Sequence, residues 1–233
     1  MKFEEELLPG RLVKRYKRFL ADVELDDGRI ITAHCANSGS MEGCQRAGSR
    51  VYLSRQDNPK RKLKFTWEMV RVGRAWVGIN TGHPNRIVYE AIERGTIPEL
   101  SGYHEMRREV KYGENSRIDV WLRGTDHTCF VEVKNVTLAR GQIAMFPDAV
   151  TERGTKHLRE LINQVGQGNR SVMFHFVQRS DCSIFRPEDS VDPVYGSTLR
   201  EAYREGVEIL VYEATVSPQQ IQIKRALPMD LGI

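Results

Sequence analysis

The chain has 233 residues, of which 40% are hydrophobic and 28% are charged, and it carries a formal net charge of +4. These proportions are typical of a globular protein with one large domain or two smaller ones, and they exclude a disordered chain. The polar start and the lack of any apolar run of about 18 residues predict neither a signal peptide nor a membrane span. We therefore expect a cytoplasmic protein with no membrane partner.

The charge is unevenly spread along the chain. Residues 1–82 contain 16 Lys and Arg against 10 Asp and Glu, a net +6, whereas residues 83–233 contain 19 against 21, a net −2. This asymmetry indicates two parts with different roles. The four cysteines show neither a CxxC pair nor a zinc spacing, and we expect reduced, buried thiols without chemistry.

The N-terminal part, residues 1–82, reads as short strands separated by turns, such as the turn at Asp26–Gly28. About five strands within some 70 residues favour a small barrel of the five-stranded OB type. The sequence therefore predicts an all-β, OB-fold-like domain that binds nucleic acid.

A second domain is predicted over residues 83–233, because the hydrophobic period changes at "NTGHPNRIVYEAIERG". Pro84 suits a helix start and Gly95 a helix end. The predicted order is helix, three strands, helix, strand, helix and two strands. Short links between consecutive strands favour antiparallel pairing, whereas strands entered from helices can add in parallel. We expect an α/β domain with a mixed sheet flanked by helices.

Two basic runs of the N-terminal domain alternate with aromatic residues. Cationic groups beside rings that can stack are what a sequence-tolerant nucleic-acid groove requires, although a run of charge is also typical of a solvated face. The candidate nucleic-acid contacts in these runs are Arg15, Lys17, Arg18, Lys60, Arg61, Lys62 and Lys64.

The segment "SRIDVWLRGTDHTCFVEVKN" combines ionised residues with the pattern of buried sheet. Glu132 and Lys134 are two residues apart on one strand and so share a face, and Asp119 on the preceding strand can meet Glu132 across the sheet. A second Glu-x-Lys triplet at residues 109–111 lacks an aspartate upstream.

Two neighbouring carboxylates repel each other, and a hard divalent cation such as Mg²⁺ or Mn²⁺ relieves that repulsion while binding a phosphate. Lys134 could then offset charge on the phosphate or orient an attacking water. The sequence predicts Asp119 and Glu132 as metal ligands and Asp119, Glu132 and Lys134 as catalytic residues of phosphodiester hydrolysis. The alternative is a buried ion network with no ligand.

The helix after this strand offers a further phosphate site. Arg153, Lys156 and His157 lie in its first turns, where phosphate is attracted. An ordinary surface or capping role is the alternative for His157.

The order of helix, three strands, helix and strand resembles the core of the PD-(D/E)xK nuclease superfamily. Some members take a further acid from the first helix, which points to Glu90 as a fourth catalytic candidate, with a solvated helix residue as the alternative. Ile118 stands where the superfamily often has proline.

Long segments over nearly the whole chain resemble the sugar fermentation stimulation protein A (SfsA) family, among them "LPGRLVKRYKRFLADVEL", "AHCANSGSMEG", "INTGHPNRIVYEAI" and "FPDAVTERGTKHLREL". The resemblance implies an OB-like domain joined to a PD-(D/E)xK-like domain. It also implies DNA binding without sequence specificity and a regulatory role in sugar, notably maltose, metabolism.

We therefore expect a protein that binds DNA, or RNA, without sequence specificity and carries a metal-dependent nuclease site. The rival hypothesis is a non-enzymatic DNA-binding regulator whose nuclease-like domain is a scaffold. A small-molecule sugar enzyme is disfavoured, because the sequence has no nucleotide fingerprint. Homo-oligomers are left open by the sequence.

Overall fold

A computed structural model of the protein describes residues 1–113 and 116–233. The N-terminal sheet is built from β1 Leu8–Tyr16, β2 Leu20–Leu25, β3 Ile30–Cys35, β4 Arg50–Arg55, β5 Phe65–Val72 and β6 Ala75–Gly78. A short parallel pairing of β3 with β5 closes the first five strands into a barrel, and β6 extends β5 as a hairpin. The predicted OB-type barrel is confirmed.

Alternating side chains explain the barrel core. In β2, Ala21, Val23 and Leu25 are buried while the residues between them face outward. Side chains two apart on a strand share a face, so each strand contributes one apolar row to the interior. The fully buried Trp67 from β5 is the largest side chain in this core.

The C-terminal domain contains more elements. They are α1 Pro84–Glu93, a 3₁₀ helix Pro98–Leu100, β7 Glu105–Tyr112, β8 Ser116–Arg123, β9 Thr128–Val136, β10 Leu138–Arg140, β11 Ile143–Phe146, α2 Glu152–Gly166, β12 Arg170–Val177, β13 Ile184–Pro187, α3 Pro193–Arg204, β14 Glu208–Val216 and β15 Ile221–Ala226. The main sheet has the order β15-β14-β12-β9-β8-β7. Because β9, β12 and β14 are parallel and the other pairs antiparallel, the predicted mixed sheet is confirmed.

A small second sheet of β10, β11 and β13 was not predicted. Strands of three or four residues are too short to show a clear two-residue period. The sheet matters for function because β11 ends at Phe146, directly before the segment that borders the candidate site.

The helices attach through apolar faces to opposite sides of the sheet. Ile87 and Val88 of α1 pack with one face of the sheet, and Leu158 and Leu161 of α2 pack with the other. The N-terminus of α2 is capped by Thr151, whose side chain accepts a hydrogen bond from the Gly154 amide at 3.0 Å. These contacts fix the start of α2 beside β9.

The two domains are joined by a short linker anchored on a buried carboxylate. Glu68 of β5 is 2% exposed, and its side chain accepts hydrogen bonds from Ser54 at 2.6 Å and Asn80 at 2.8 Å and contacts His83 at 2.7 Å. Since Asn80 and His83 lie immediately before α1, this network holds the first helix of the second domain against the barrel.

The first residues of the chain lie on the second domain. The Met1 carbonyl accepts from the Ile221 amide at 3.0 Å, and the Phe3 amide donates to Gln219 at 3.1 Å. The sequence groups these first residues with the barrel, in residues 1–82. Their backbone hydrogen bonds, however, are made with the α/β domain.

All four cysteines are buried free thiols. Within residues 1–113 and 116–233, the helices are each too short or too polar to cross a bilayer.

Candidate metal centre and interdomain cleft

The candidate site lies where β8 and β9 separate. Their ladder runs from Arg123 and Thr128 to Val120 and Val131. Beyond that pair, the Val133 amide donates to the Asp119 side chain, with 2.7 Å between N and Oδ2. The Asp119 carboxylate thus takes the place of a β8 carbonyl as the acceptor for the Val133 amide. This bond holds the carboxylate at the point where the two strands separate.

Asp119 has a second fixed partner that the sequence analysis missed. Its Oδ1 accepts a hydrogen bond of 2.6 Å from the side-chain Nδ2 of Asn85, in the first turn of α1. Burial first, and then the charge of Glu132, raise the pKa of Asp119 to about 7. Two acids crowded together with little water favour a bound cation.

Glu132 is 2% exposed and faces two nitrogen-bearing side chains. Its Oε1 lies 2.6 Å from Lys134 Nζ and also contacts His157 Nδ1. Burial opposes ionisation, but Lys134 and the hydrogen bond with His157 outweigh it and lower the pKa of Glu132. Its other oxygen, Oε2, is buried and has no hydrogen-bond partner among the described residues. Such an atom is costly unless something binds it.

His157 lies beneath Glu132 and is not one of the residues that line the cleft. The ring is 4% exposed, and its Nε2 accepts from Arg153 Nε at 3.3 Å. Because a carboxylate can only accept, we assign the ring proton to Nδ1, where it is donated to Glu132. Lys134 Nζ, 3.2 Å from Nδ1, then donates to Glu132 and not to the ring. His157, a predicted phosphate contact, thus lies where it orients the Glu132 carboxylate.

A cleft of about 520 Å³ opens above these residues, between the two domains. Asp119, Glu132 and Lys134 line it together with Asn85. Its other lining residues include Arg18, Asn37, Ser38 and Gly39 from the barrel and Phe146, Pro147, Asp148, Thr151 and Arg153 from the segment that leads into α2. The predicted contacts Arg18 and Arg153 therefore reach one cleft from different domains.

The barrel loop that borders the cleft is held from the other domain. Asp148 Oδ2 accepts from the Met41 amide at 3.0 Å. A Cβ on Gly39 would lie 2.4 Å from that same oxygen, so a larger residue here would displace the Asp148 carboxylate from the Met41 amide. The wall made by the barrel is therefore fixed to the segment before α2.

Arg15 holds the same loop from its own side. Its guanidinium donates to the backbone oxygens of Asn37 at 2.9 Å, Gly39 at 3.0 Å, Ser40 at 3.2 Å and Arg18 at 3.0 Å. The guanidinium of Arg15, a predicted nucleic-acid contact, is thus engaged with four carbonyl groups that hold the loop and the β1–β2 turn together.

The other predicted basic residues lie on two loops of the barrel. Lys17 and Arg18 form the β1–β2 turn, where both have positive φ, 48° and 61°. Lys60, Arg61, Lys62 and Lys64 lie between β4 and β5. In OB folds these two loops and the β2–β3 face are the usual places for oligonucleotide binding.

Two other predicted residues lie apart from the cleft. Glu90 binds Arg86 at 2.7 Å, Arg94 at 3.2 Å and the terminal amine at 3.5 Å. The structure does not bring it to Asp119, because Asn85 is the α1 residue that points there. Lys156 is exposed and lies 3.6 Å from Glu160.

Within the described ranges, no three His, Cys, Asp or Glu side chains converge as a metal cluster. The site would therefore offer two carboxylates, one of them with an unpartnered oxygen. Mg²⁺ commonly binds through one or two carboxylates and keeps water or substrate phosphate as its other ligands. The donor set fits a hard cation shared with a phosphate.

The N-terminal region, residues 13–79, matches the family model described as the SfsA N-terminal OB domain, and residues 82–220 match the sugar fermentation stimulation protein RE domain. The chain belongs to the sugar fermentation stimulation protein family. A homolog from Geobacter sulfurreducens is 58% identical over 97% of both chains, and one from Maricaulis maris is 55% identical over the full length of both.

A solved structure supports the same assignment. The structure of Pyrococcus furiosus SfsA in complex with Ca²⁺ superposes with a TM-score of 0.90 at 26% identity, covering 99% of this chain and 98% of that one. The family resemblance found in the sequence is thereby confirmed, as is the arrangement of two domains.

Proposed function

We propose that the protein is a divalent-metal-dependent phosphodiesterase that acts on nucleic acid bound between its two domains. The proposal rests mainly on Glu132 Oε2, which is buried beside Asp119 and has no partner among the described residues. It lies at the base of a cleft that arginines from both domains line. The Ca²⁺ in the Pyrococcus relative supports a cation in this family, and we propose Mg²⁺ or Mn²⁺ for this chain.

Asp119 and Glu132 would hold the metal. When bound, the metal supplies an activated water and stabilises negative charge on the phosphate. Asn85 and the Val133 amide orient the Asp119 carboxylate, and His157 orients that of Glu132. Because these partners already hold the two carboxylates in place, the carboxylates need to move little when the metal and substrate bind.

Lys134 is the candidate for the second chemical role. Its ammonium is 2.6 Å from Glu132 and lines the cleft, with a side chain that is 13% exposed. On substrate binding it can turn from Glu132 to the phosphate, where a positive charge offsets the charge that develops in the transition state. Arg18 and Arg153 would position the flanking phosphates.

The basic loops of the barrel would bind DNA, or RNA, through the backbone. Lys17, Lys60, Lys62 and Lys64 are exposed, and contacts of this kind carry no sequence information. Replacing Lys60, Lys62 and Lys64 together should weaken binding to every sequence alike. The slope of log affinity against log salt should become shallower by roughly 0.7 to 0.9 for each phosphate that is no longer neutralised.

The non-enzymatic regulator is the second candidate, and one contact favours it. Lys134 already neutralises Glu132, so the pair could persist as an ion network without a metal. In that case the link to sugar metabolism would come from DNA binding alone.

Glu132→Gln separates the two functions, because it keeps the size of the side chain and removes its charge. With Mg²⁺ or Mn²⁺, the wild type should cleave at least one of single-stranded, branched or duplex DNA or RNA, and the variant should be slower by about three orders of magnitude or more. Binding should survive in both. A wild type that binds DNA but cleaves nothing in this panel would replace the nuclease by the regulator.

A further inference from the structure

The end of the barrel nearest the cleft carries an exposed aromatic side chain. Phe19 follows Arg18 in the β1–β2 turn and is 48% exposed. Its ring stacks on that of His34 in β3, with centroids 6.5 Å apart and planes 20° apart. Phe19 is held by its backbone, since its carbonyl accepts from the Cys35 amide at 2.8 Å. The backbone at Phe19 is thus fixed, and its ring lies nearly parallel to that of His34 with half of its surface exposed.

Two arginines lie near this aromatic pair. Arg18 lies next to Phe19 in the chain and lines the cleft. The guanidinium of Arg61 donates to Thr66 Oγ1 at 3.1 Å, and Thr66 is the β5 partner of His34. Paired residues share a face of the sheet, so the Arg61 guanidinium lies close to His34.

The acidic residues further along β2 each have a basic neighbour on β1. Asp22 lies 3.7 Å from Lys14, and Glu24 is the strand partner of Arg11. These charges offset each other, so a phosphate chain is attracted mainly to the end with Phe19, His34 and the two arginines.

We propose that Phe19 and His34 form a base-stacking platform for single-stranded nucleic acid, which Arg18 leads into the interdomain cleft. Stacking needs bases whose faces are free, and those of a duplex are already stacked. The cleft of about 520 Å³ has the size of a small-ligand site and holds on the order of one or two nucleotides of a single strand. The inference rests on the proposed function only in assuming that the nucleic-acid strand ends in the interdomain cleft.

The test measures binding without cleavage. Fluorescence anisotropy in EDTA would compare labelled oligo-dT, oligo-rU and a duplex of equal length with wild type, Phe19→Ala and Phe19→Tyr. Tyr203→Ala is the matched control, because Tyr203 is an equally exposed aromatic (45%) on α3.

Phe19→Ala should weaken single-strand binding by on the order of tenfold, as expected when one base–aromatic stack is removed, and leave duplex binding unchanged. Phe19→Tyr, which keeps the ring, should bind like wild type, and so should Tyr203→Ala. Weaker binding of Phe19→Ala to either oligo-dT or oligo-rU supports the platform. The oligonucleotide whose affinity falls more is the one that depends more on Phe19.

Unchanged single-strand binding by Phe19→Ala, or an equal weakening with the duplex, would overturn the platform. The two proposals fail separately. A wild type that cleaves nothing refutes the nuclease and leaves the platform standing if Phe19→Ala still binds single strands more weakly.

Discussion

The chain contains Glu-x-Lys on two strands of one sheet, and the two copies differ in burial and in their contacts. Glu109 and Lys111 of β7 are exposed, and Glu109 has a φ of 56°. Glu132 and Lys134 of β9 are buried or nearly so and contact each other at 2.6 Å beneath the cleft. Water screens the first copy, whereas the second lies where an unpaired charge is costly. Position in the sheet, and not the tripeptide, determines the chemistry.

The largest expected difference between the copies is in catalysis. Lys134→Met should slow cleavage by on the order of 10²- to 10³-fold, the usual cost of removing one group that stabilises transition-state charge. Lys111→Met makes the same change in the exposed copy and should cleave at the wild-type rate. Single-turnover cleavage with saturating Mn²⁺ measures both. Equal rates for the two variants would remove Lys134 from the mechanism.

The next difference is in metal-linked stability. Mn²⁺ at 100 times its dissociation constant should stabilise the wild type by about 2.7 kcal/mol, which raises the melting temperature by about 5 to 10 °C. Asp119→Asn should lose this shift, whereas Glu109→Gln should retain it. Thermal unfolding followed by circular dichroism, with and without Mn²⁺, provides the comparison. A shift that survives in Asp119→Asn would place the metal elsewhere.

Glu68, another buried acid, extends the comparison to the network that holds the linker, and its replacement should have the smallest effect. Glu68 is as buried as Glu132, but both of its oxygens have partners. Burial opposes ionisation, yet His83, Ser54 and Asn80 outweigh it and lower the pKa of Glu68. Because the folded pKa lies below the unfolded value, this group's stabilisation is full above the unfolded pKa and is lost as the pH falls through the folded one.

Glu68→Gln should therefore cost on the order of 1.5 kcal/mol at neutral pH and flatten the acid side of the stability profile. Urea unfolding between pH 3 and pH 7, at roughly the range of carboxylate titration, measures this. If the loss of stability below neutral pH is the same in Glu68→Gln as in the wild type, other carboxylates cause the acid sensitivity. The cleavage rate of the folded variant should remain at the wild-type value, in contrast to Glu132→Gln.

The sequence predicted a two-domain fold and the shared face of Glu132 and Lys134 because these signals are local. Strand parity places Glu132 and Lys134 on one face, and this follows from their spacing alone. The change of period at Pro84 likewise marks α1 without reference to other parts of the chain.

The remaining features depend on tertiary contacts. Both Asn85 and Glu90 are polar residues of α1, and only the packing of the helix decides that Asn85 meets Asp119. Arg15 looks like its basic neighbours in the sequence, but the fold directs its guanidinium to four carbonyls. His157 has helical spacing from Arg153, and its burial beneath Glu132 follows from how α2 lies on β9.

Anomalous scattering from crystals of the protein grown with Mn²⁺ would locate the metal directly. We expect one strong peak between Asp119 and Glu132 Oε2, the buried oxygen that has no partner among the described residues, and we expect that peak to be absent from Glu132→Gln crystals. A peak only at Glu109 or another exposed acid, with Lys134 still bound to Glu132, would contradict the metal centre.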